Sequence, residues 1–443
     1  MRKRLFLGTI ATLVTILSAI QPASAQQAWT LRQCTEYAVS NNLQIKQRGN
    51  QCRQRELQLS TARNSRLPNL SGTVGESFSF GRGLTMDNTY TNRSTSSTSF
   101  SLGTSVPLFT GFQIPNNIKL SQLNLEAATQ DLEKAKNDIR MQVAKAFVQI
   151  LYDMEIADVA VRQIEIDSMQ VVRLERFLEN GKASGAEVSQ QKATLAQSQL
   201  TATQAQNNLH LSLLTLSQLL ELPTPEGFSV VRPAIKDNPD YLGNPDQIFQ
   251  EALLFKPEVR AEQLRLNATE KSIKIAQAAL YPTLTLSGGL QTNYYKVSEM
   301  PADNFSTQIR NNFSQYISLN LNIPIFNRFS TRNSIRSARI DRENQQLQLD
   351  NVKKSLYKEI QQVYYNAVAA HAKYESSEVA RQSSADAFRL AQAKYENGKA
   401  NITEFNEAKV RYLKAESDLI QARYEYLYQN SLLDFYRGKE LDF

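Results

Sequence analysis

From Gln113 to Leu178, and again from Ser330 to Glu396, the chain holds no glycine, and its only proline is Pro115 in the opening turn. Uninterrupted runs of this kind read as single α-helices, and at 1.5 Å per residue each would extend about 100 Å. Few compact domains can house such an element. Small and apolar residues recur at spacings of three and four: Val143, Ala146, Ile150, Ala157, Val161 and Ile164, then Ile360, Val363, Ala367, Ala370 and Tyr374. That pattern is a coiled-coil-type seam, with alanines permitting close approach. The other faces are polar, so water reaches at least one side.

The same text occurs twice along the chain. Leu67-Pro68-Asn69-Leu70-Ser71-Gly72 returns as Tyr281-Pro282-Thr283-Leu284-Thr285-Leu286-Ser287-Gly288, 214 positions later. Val106-Pro107-Leu108-Phe109 returns as Ile323-Pro324-Ile325-Phe326, and Glu179-Asn180-Gly181-Lys182-Ala183 as Glu396-Asn397-Gly398-Lys399-Ala400, both at an offset of 217. Three matches in one order at nearly one offset read as a tandem duplication. It gives a first structural repeat, 26–222, a proline-rich connector, 223–245, and a second repeat, 246–443.

Each repeat has one grammar. A helical segment comes first, 31–65 or 246–280, and Pro68 or Pro282 closes it, because proline cannot continue a helix and forces its predecessor into extended geometry. A β-hairpin follows, about 70–109 or 283–326. Phe78 and Phe80 alternate with Ser77 and Ser79, and Leu284, Leu286 and Leu290 with Thr285, Ser287 and Gln291. Ile317, Leu319 and Leu321 alternate likewise with Ser318, Asn320 and Asn322. Strands of about ten residues with one apolar face fit a tilted crossing of a bilayer. Polar hairpin loops, 83–97 and 297–312, and bracketing aromatics favour a membrane barrel over a soluble sandwich. At one end these are Phe109, Phe112, Phe326 and Phe329, and near the other Tyr90, Tyr294, Tyr295 and Phe313. A long helical hairpin ends each repeat, 113–220 and 330–436, reversing where Asn-Gly supplies a left-handed C-cap. The expected fold class is mainly α with β.

The N-terminus carries Arg2, Lys3 and Arg4, an apolar run from Leu5 to Ile20, and Pro22-Ala23-Ser24-Ala25. This reads as a signal peptide, 1–25, cut after Ala25, with no cysteine directly behind it for a lipid anchor. Removing it lowers the formal charge from +7 to +4, too mild and too evenly mixed with acids to suggest nucleic acid. No other stretch approaches the roughly 18 apolar residues of a spanning helix, so a membrane crossing would have to be a β-barrel. Cys34 and Cys52, read on one helix, would lie about 27 Å apart, beyond disulfide reach. His210 and His371 have no ligand spacing around them, so no metal or cofactor is expected. Trp29 reads as packing near the mature N-terminus, and Phe443, following a helix, is not taken as a barrel-terminal aromatic.

Four membrane strands cannot close a barrel, since about eight is the smallest natural number. Unpaired strand edges in lipid cost several kcal/mol per group, so further copies must complete the sheet. Two copies would give a barrel filled by side chains, whereas three leave an open lumen.

Tyr395-x-x-Gly398, Ile402-x-Glu404-x-x-Glu407-Ala408 and Ala422-Arg423-Tyr424-x-Tyr426-Leu427, in that order on this plan, resemble the TolC-like outer-membrane factor family across the whole mature chain. The resemblance implies a homotrimer whose twelve-stranded barrel crosses the outer membrane of a Gram-negative bacterium and continues into a periplasmic helical tunnel. It implies docking to a periplasmic adaptor of the membrane-fusion type, itself bound to an inner-membrane pump of the RND or ABC type. The function it implies is passive efflux of small molecules.

The resemblance also implies a gate near the turns, where an acidic residue bonds a tyrosine and a basic residue. Glu187 takes the acidic place and Tyr395 the tyrosine's, but Ala400 stands in the basic place, with Lys399 one position off. Glu404 and Glu407 lie one helical turn apart, and tripled about an axis they would form a carboxylate ring that attracts cations. Read alone, they are ordinary solvated helix charges. The turns Asn180-Gly181-Lys182 and Asn397-Gly398-Lys399 are the expected adaptor-docking tips. Phe109, Phe112, Phe326 and Phe329 are the expected barrel-interface aromatics.

Other readings remain beside this one. No nucleophile elbow, phosphate loop or ligand cluster supports an enzyme. An exported coiled-coil scaffold or adhesin explains the helices but not the paired hairpins. A type I protein-secretion duct would use the same architecture.

Overall fold

The computed structural model describes residues 28–84, 87–233, 243–298 and 300–441. The expected signal peptide, Phe443 and connector residues 234–242 lie outside the described residues. What is described is mostly helical with one small sheet. The order is α1 (Leu31–Asn41), α2 (Leu43–Asn64), β1 (Asn69–Leu84), β2 (Tyr90–Thr110), α3 (Gln113–Glu179) and α4 (Gly185–Leu219). Then come α5 (Pro245–Phe255), α6 (Pro257–Ala278), β3 (Thr283–Val297), α7 (Phe305–Asn311), β4 (Ser314–Asn322), α8 (Ser330–Glu396) and α9 (Ile402–Tyr436). α3 and α8 each run 67 residues, and α4 and α9 each 35. Among the described residues no helix is long and apolar enough to cross a membrane.

The chain divides into two compact units. One holds the sheet and the segments flanking it, Arg48–Leu132 and Pro257–Lys354. Its four strands pair antiparallel in the order β1-β2-β3-β4, so β2 and β3 join the two halves of the chain while β1 and β4 are edges. The register sets Val74 opposite Phe100, Leu102 opposite Leu290, and Leu286 opposite Leu319, building one apolar face. Ser71, Ser101, Ser287 and Ser318 lie on the other. A bulge between Pro107 and Phe109 shifts the pairing so that Phe109 faces Leu284, returning an aromatic to the apolar face. Glu76 is a carboxylate on that face, and it accepts from the Ser96 and Thr98 hydroxyls. Beside the sheet, Leu123 and Ala127 of α3 pack on Leu264 and Ala268 of α6.

Three strands correct the expected lengths. β1, β2 and β3 run 16, 21 and 15 residues rather than about ten, while β4 with 9 keeps to the expected length. Most of the expected loop 83–97 is strand, because the serine and threonine run 94–99 extends β2 without any apolar alternation to reveal it. The expected loop 297–312 contains α7, capped by the Asn304 side chain on the Thr307 N–H at 2.9 Å. β4 stops at Asn322, just ahead of Ile323-Pro324, where the proline has no N–H to offer.

The other unit holds the described residues up to Gln47, then Glu133–Lys256 and the described residues from Ser355. The opening helix expected over 31–65 is broken at Asn42, which adopts φ −58° and ψ 133°. Its Oδ1 accepts the Gln44 N–H at 2.9 Å and its Nδ2 donates to the Leu219 carbonyl at 3.2 Å. The counterpart expected over 246–280 breaks at Lys256, extended because Pro257 follows. Cys34 and Cys52 therefore sit on different helices, and both are free thiols. Burial pushes the Cys34 thiol up to about 12. Trp29 bridges to Val230 and meets Tyr37 and Phe228 edge-on. Of the expected seam, Val143, Ile150, Ile360, Ala367 and Ala370 are buried, but Val161 is 50% exposed in the single chain.

Candidate functional site

Both helical reversals close the same way. Gly181 and Gly398 adopt φ +67° and +69°, where a side chain would be strained. The Lys182 N–H donates to the Phe177 carbonyl at 2.7 Å and the Gly181 N–H to that of Leu178 at 3.0 Å. The Lys399 N–H bonds Lys394 at 2.8 Å and the Gly398 N–H bonds Tyr395 at 3.1 Å. This Schellman pairing satisfies the last carbonyls of α3 and α8. The side chains of Asn180 and Asn397 tie back one turn, to Arg176 at 2.6 Å and Ala393 at 2.8 Å. All six tip residues, from Asn180 to Lys182 and from Asn397 to Lys399, are exposed.

The next helix starts with a cap in each case. Ser184 and Glu187 form a capping box on α4. The Glu187 Oε2 accepts the Ser184 N–H at 2.7 Å and its hydroxyl at 3.0 Å. These bonds hold the Glu187 carboxyl below its ordinary value. Its hydrogen bonds thus go to its own helix rather than to Tyr395. On α9 the Asn401 Oδ1 accepts the Glu404 N–H at 2.8 Å. Glu404 and Glu407 are exposed, and Glu407 is bridged to Arg411 at 3.2 Å, a neutralising partner that the sequence reading omitted.

Tyr395 is half-buried, stacked on Phe405 with ring centroids 5.2 Å apart. Arg173 lies over its ring at 5.5 Å and pairs with Glu396 at 3.6 Å. Burial pushes the Tyr395 hydroxyl up, against the pull of the Arg173 guanidinium, and the Glu187 charge adds to the rise. The cation beside Tyr395 therefore comes from α3, six residues before the first turn glycine region ends the helix, and not from the stretch around Lys399 and Ala400. Sequence spacing could not reveal this, since 222 positions separate the two residues.

A further feature has no sequence signature at all. Asp167 of α3 is fully buried and forms an ion pair with Lys409 of α9, itself 2% exposed. Asp167 also accepts from the Ser198 hydroxyl at 2.6 Å and from Gln191 Nε2 at 3.2 Å, both on α4. Along the same antiparallel pair of helices, Arg162 meets Glu416 at 3.0 Å and the Tyr424 hydroxyl donates to Glu155 at 3.2 Å. This polar ladder ties α3 to α9. The position matching Lys409 in the first half is Lys192, which instead makes a solvent-exposed pair with Glu175 at 2.7 Å.

In the unit that carries the sheet, Phe109 and Phe112 meet edge-on at 5.4 Å, and Phe326 and Phe329 at 5.5 Å. All four are exposed. Among the described residues no three His, Cys, Asp or Glu side chains are placed to hold a metal ion.

The profile of the family described as "Outer membrane efflux protein" matches residues 35–221 and 248–438. Protein CyaE of Bordetella pertussis is 25% identical over 308 residues, 69% of this chain and 62% of that protein, less than two thirds of its length. The outer membrane efflux protein BepC of Brucella suis is 22% identical over 368 residues, 82% of this chain and 75% of that protein. The crystal structure of the Campylobacter jejuni CmeC outer membrane channel superposes with a TM-score of 0.77 at 17% identity, covering 93% of this chain and 87% of that one. The superposition speaks for the fold, and the profile, matching most of the chain in two stretches, speaks for descent. The chain belongs to the outer membrane efflux protein family, a family of outer-membrane channels rather than enzymes.

Proposed function

We propose that this chain, built as a tandem duplication, is one protomer of a closed homotrimeric duct. Three copies would join their sheets into a twelve-stranded barrel that continues into a tunnel of long helices. One observation supports this most: a four-stranded sheet with an apolar outer face ends in two unpaired edges, β1 and β4. In lipid those edges cost several kcal/mol per unpaired group, and only further copies can pair them. The face carrying Ser71, Ser101, Ser287 and Ser318 then lines the lumen. The duct is passive, and small molecules pass through it from the periplasm or cytoplasm to the exterior.

The tips at Gly181 and Gly398 are the surfaces for a periplasmic adaptor, and an inner-membrane pump of the RND or ABC type acts through that adaptor. Tyr395, Glu187, Glu404 and Glu407 stand at the periplasmic gate, with Arg173 taking the cationic role beside Tyr395. Purified protein should migrate as a trimer on unheated SDS gels and give steady conductance in planar bilayers. A monomer without conductance under both conditions would overturn the reading.

A further inference from the structure

The strand register brings four chain segments to one end of the sheet. Asn69 lies opposite Ser105, Thr110 opposite Thr283, and Thr283 opposite Asn322, so β1 and β3 begin where β2 and β4 finish. Each of these ends leads into or out of a helix. Within ten residues of them on the helix side the chain carries Arg63, Arg66, Lys119, Lys274, Arg328 and Arg332 and no Asp or Glu. Ten helical residues rise about 15 Å, and Arg66 and Arg328 stand only three and six residues from the sheet's end along non-helical connections.

All six are exposed, and none forms an ion pair with a carboxylate among the described residues. Two cations elsewhere in the same unit are matched, Arg265 by Asp131 and Glu262 and Arg342 by Glu270 at 3.6 Å. Exposed apolar groups sit just toward the strands, among them Leu67, Tyr281, Ile325 and Phe326. The surface therefore changes, within one or two helical turns, from apolar and aromatic to purely cationic. Acidic charge is not scarce in the chain, with 43 Asp and Glu against 50 Lys and Arg, so its absence from this collar is local.

We propose that this collar binds the anionic headgroups of glycerophospholipids in the periplasmic leaflet of the outer membrane. The inference rests on the barrel reading above, which places this end of the sheet at that leaflet. A headgroup layer some 5–8 Å deep borders the hydrocarbon, within reach of flexible arginine and lysine side chains whose stems lie along apolar surface. A phosphate diester accepts the paired N–H donors of arginine, which supply four of the six cations. Three copies would close the collar into a ring, so that anionic lipid bound between neighbours also bridges them.

The test reconstitutes the full chain into vesicles of phosphatidylethanolamine alone and of phosphatidylethanolamine mixed with phosphatidylglycerol. Insertion is scored by conductance, and lipid selectivity by the immobilised fraction of spin-labelled phosphatidylglycerol relative to spin-labelled phosphatidylethanolamine. The wild type should conduct in both and select phosphatidylglycerol. The combined variant Arg63→Gln, Arg66→Gln, Arg328→Asn, Arg332→Gln should conduct equally and lose that selectivity about fivefold or more. Asparagine is chosen at 328 because the position has φ +55°. Raised salt should weaken the wild-type preference in the same direction. Equal immobilisation of the two labels by a conducting wild type would overturn the collar while leaving the barrel intact, as would unchanged selectivity in the variant. Preference for spin-labelled lipid A over phosphatidylglycerol would overturn the assignment to the periplasmic leaflet. Failure to conduct in either vesicle would overturn the barrel reading, and the collar with it.

Discussion

At the scale of single residues, backbone geometry separates glycines that look alike in the sequence. A Cβ at Gly181 or Gly398 would meet nothing within 4 Å, whereas one at Gly111 would lie 2.5 Å from the Ala278 carbonyl oxygen and 2.8 Å from Tyr281 Cβ. Alanine at Gly181 should therefore cost only the left-handed strain of about 1–2 kcal/mol. Gly111→Ala adds a clash with backbone and should lower the melting temperature further; equal shifts in thermal unfolding would refute the distinction. The Glu187 carboxylate gives a second residue-level expectation. Its folded value lies below the ordinary 4.5, so the stabilisation it gives is complete above that value and lost as pH falls through the lowered one. Hydrogen exchange at the Ser184 turn should then be faster in Glu187→Gln at neutral pH and converge with the wild type in acid. A difference that persists in strong acid would assign the effect to something other than the charge.

Elements show which features a sequence can disclose. The reversals after α3 and α8 are legible because Asn-Gly has a local reason to end a helix, and the length of those helices because nothing interrupts them. The break at Lys256 was equally open to reading, since Pro257 announces it, but the break at Asn42 depends on a bond to Leu219 that local spacing cannot foresee. β2 was underestimated because its stretch from Ser94 to Ser99 is all hydroxyls, and a strand polar on both faces has no period to detect. The Asp167–Lys409 pair was invisible because burial, not residue type, makes it unusual. Its energetics are testable. Lys409→Met leaves a buried carboxylate without its cation and should cost about 3–5 kcal/mol, while Asp167→Leu combined with Lys409→Met should restore much of that. Chemical denaturation of the three proteins measures this, and a double variant as unstable as the single would contradict it.

For the whole molecule, the proposed duct converts solitary surface charges into rings. Arg411 offsets Glu407 within each chain, leaving Glu404 as the carboxylate of the pair with no ion-pair partner among the described residues. Glu404→Gln combined with Glu407→Gln should lower cation selectivity, read as a smaller reversal potential across a salt gradient. Arg411→Gln should raise it. Unchanged potentials in both variants would remove these carboxylates from the ion path. The tyrosine and acidic residues of the proposed gate were nameable from the sequence because the family resemblance aligns them to the glycine turns. Arg173 and the ladder between α3 and α9 were not, because they arise only when helices far apart in the chain pack together. The unpaired margins of the sheet also bear on time. β1 offers 16 residues of edge and β4 only 9. If the sheet lies in lipid as proposed, a lone copy can satisfy neither, and the final folding event is also an encounter between molecules. Its rate should accordingly rise with the amount of chain delivered to the membrane, making maturation of the duct a matter of collision order rather than of one chain's own clock.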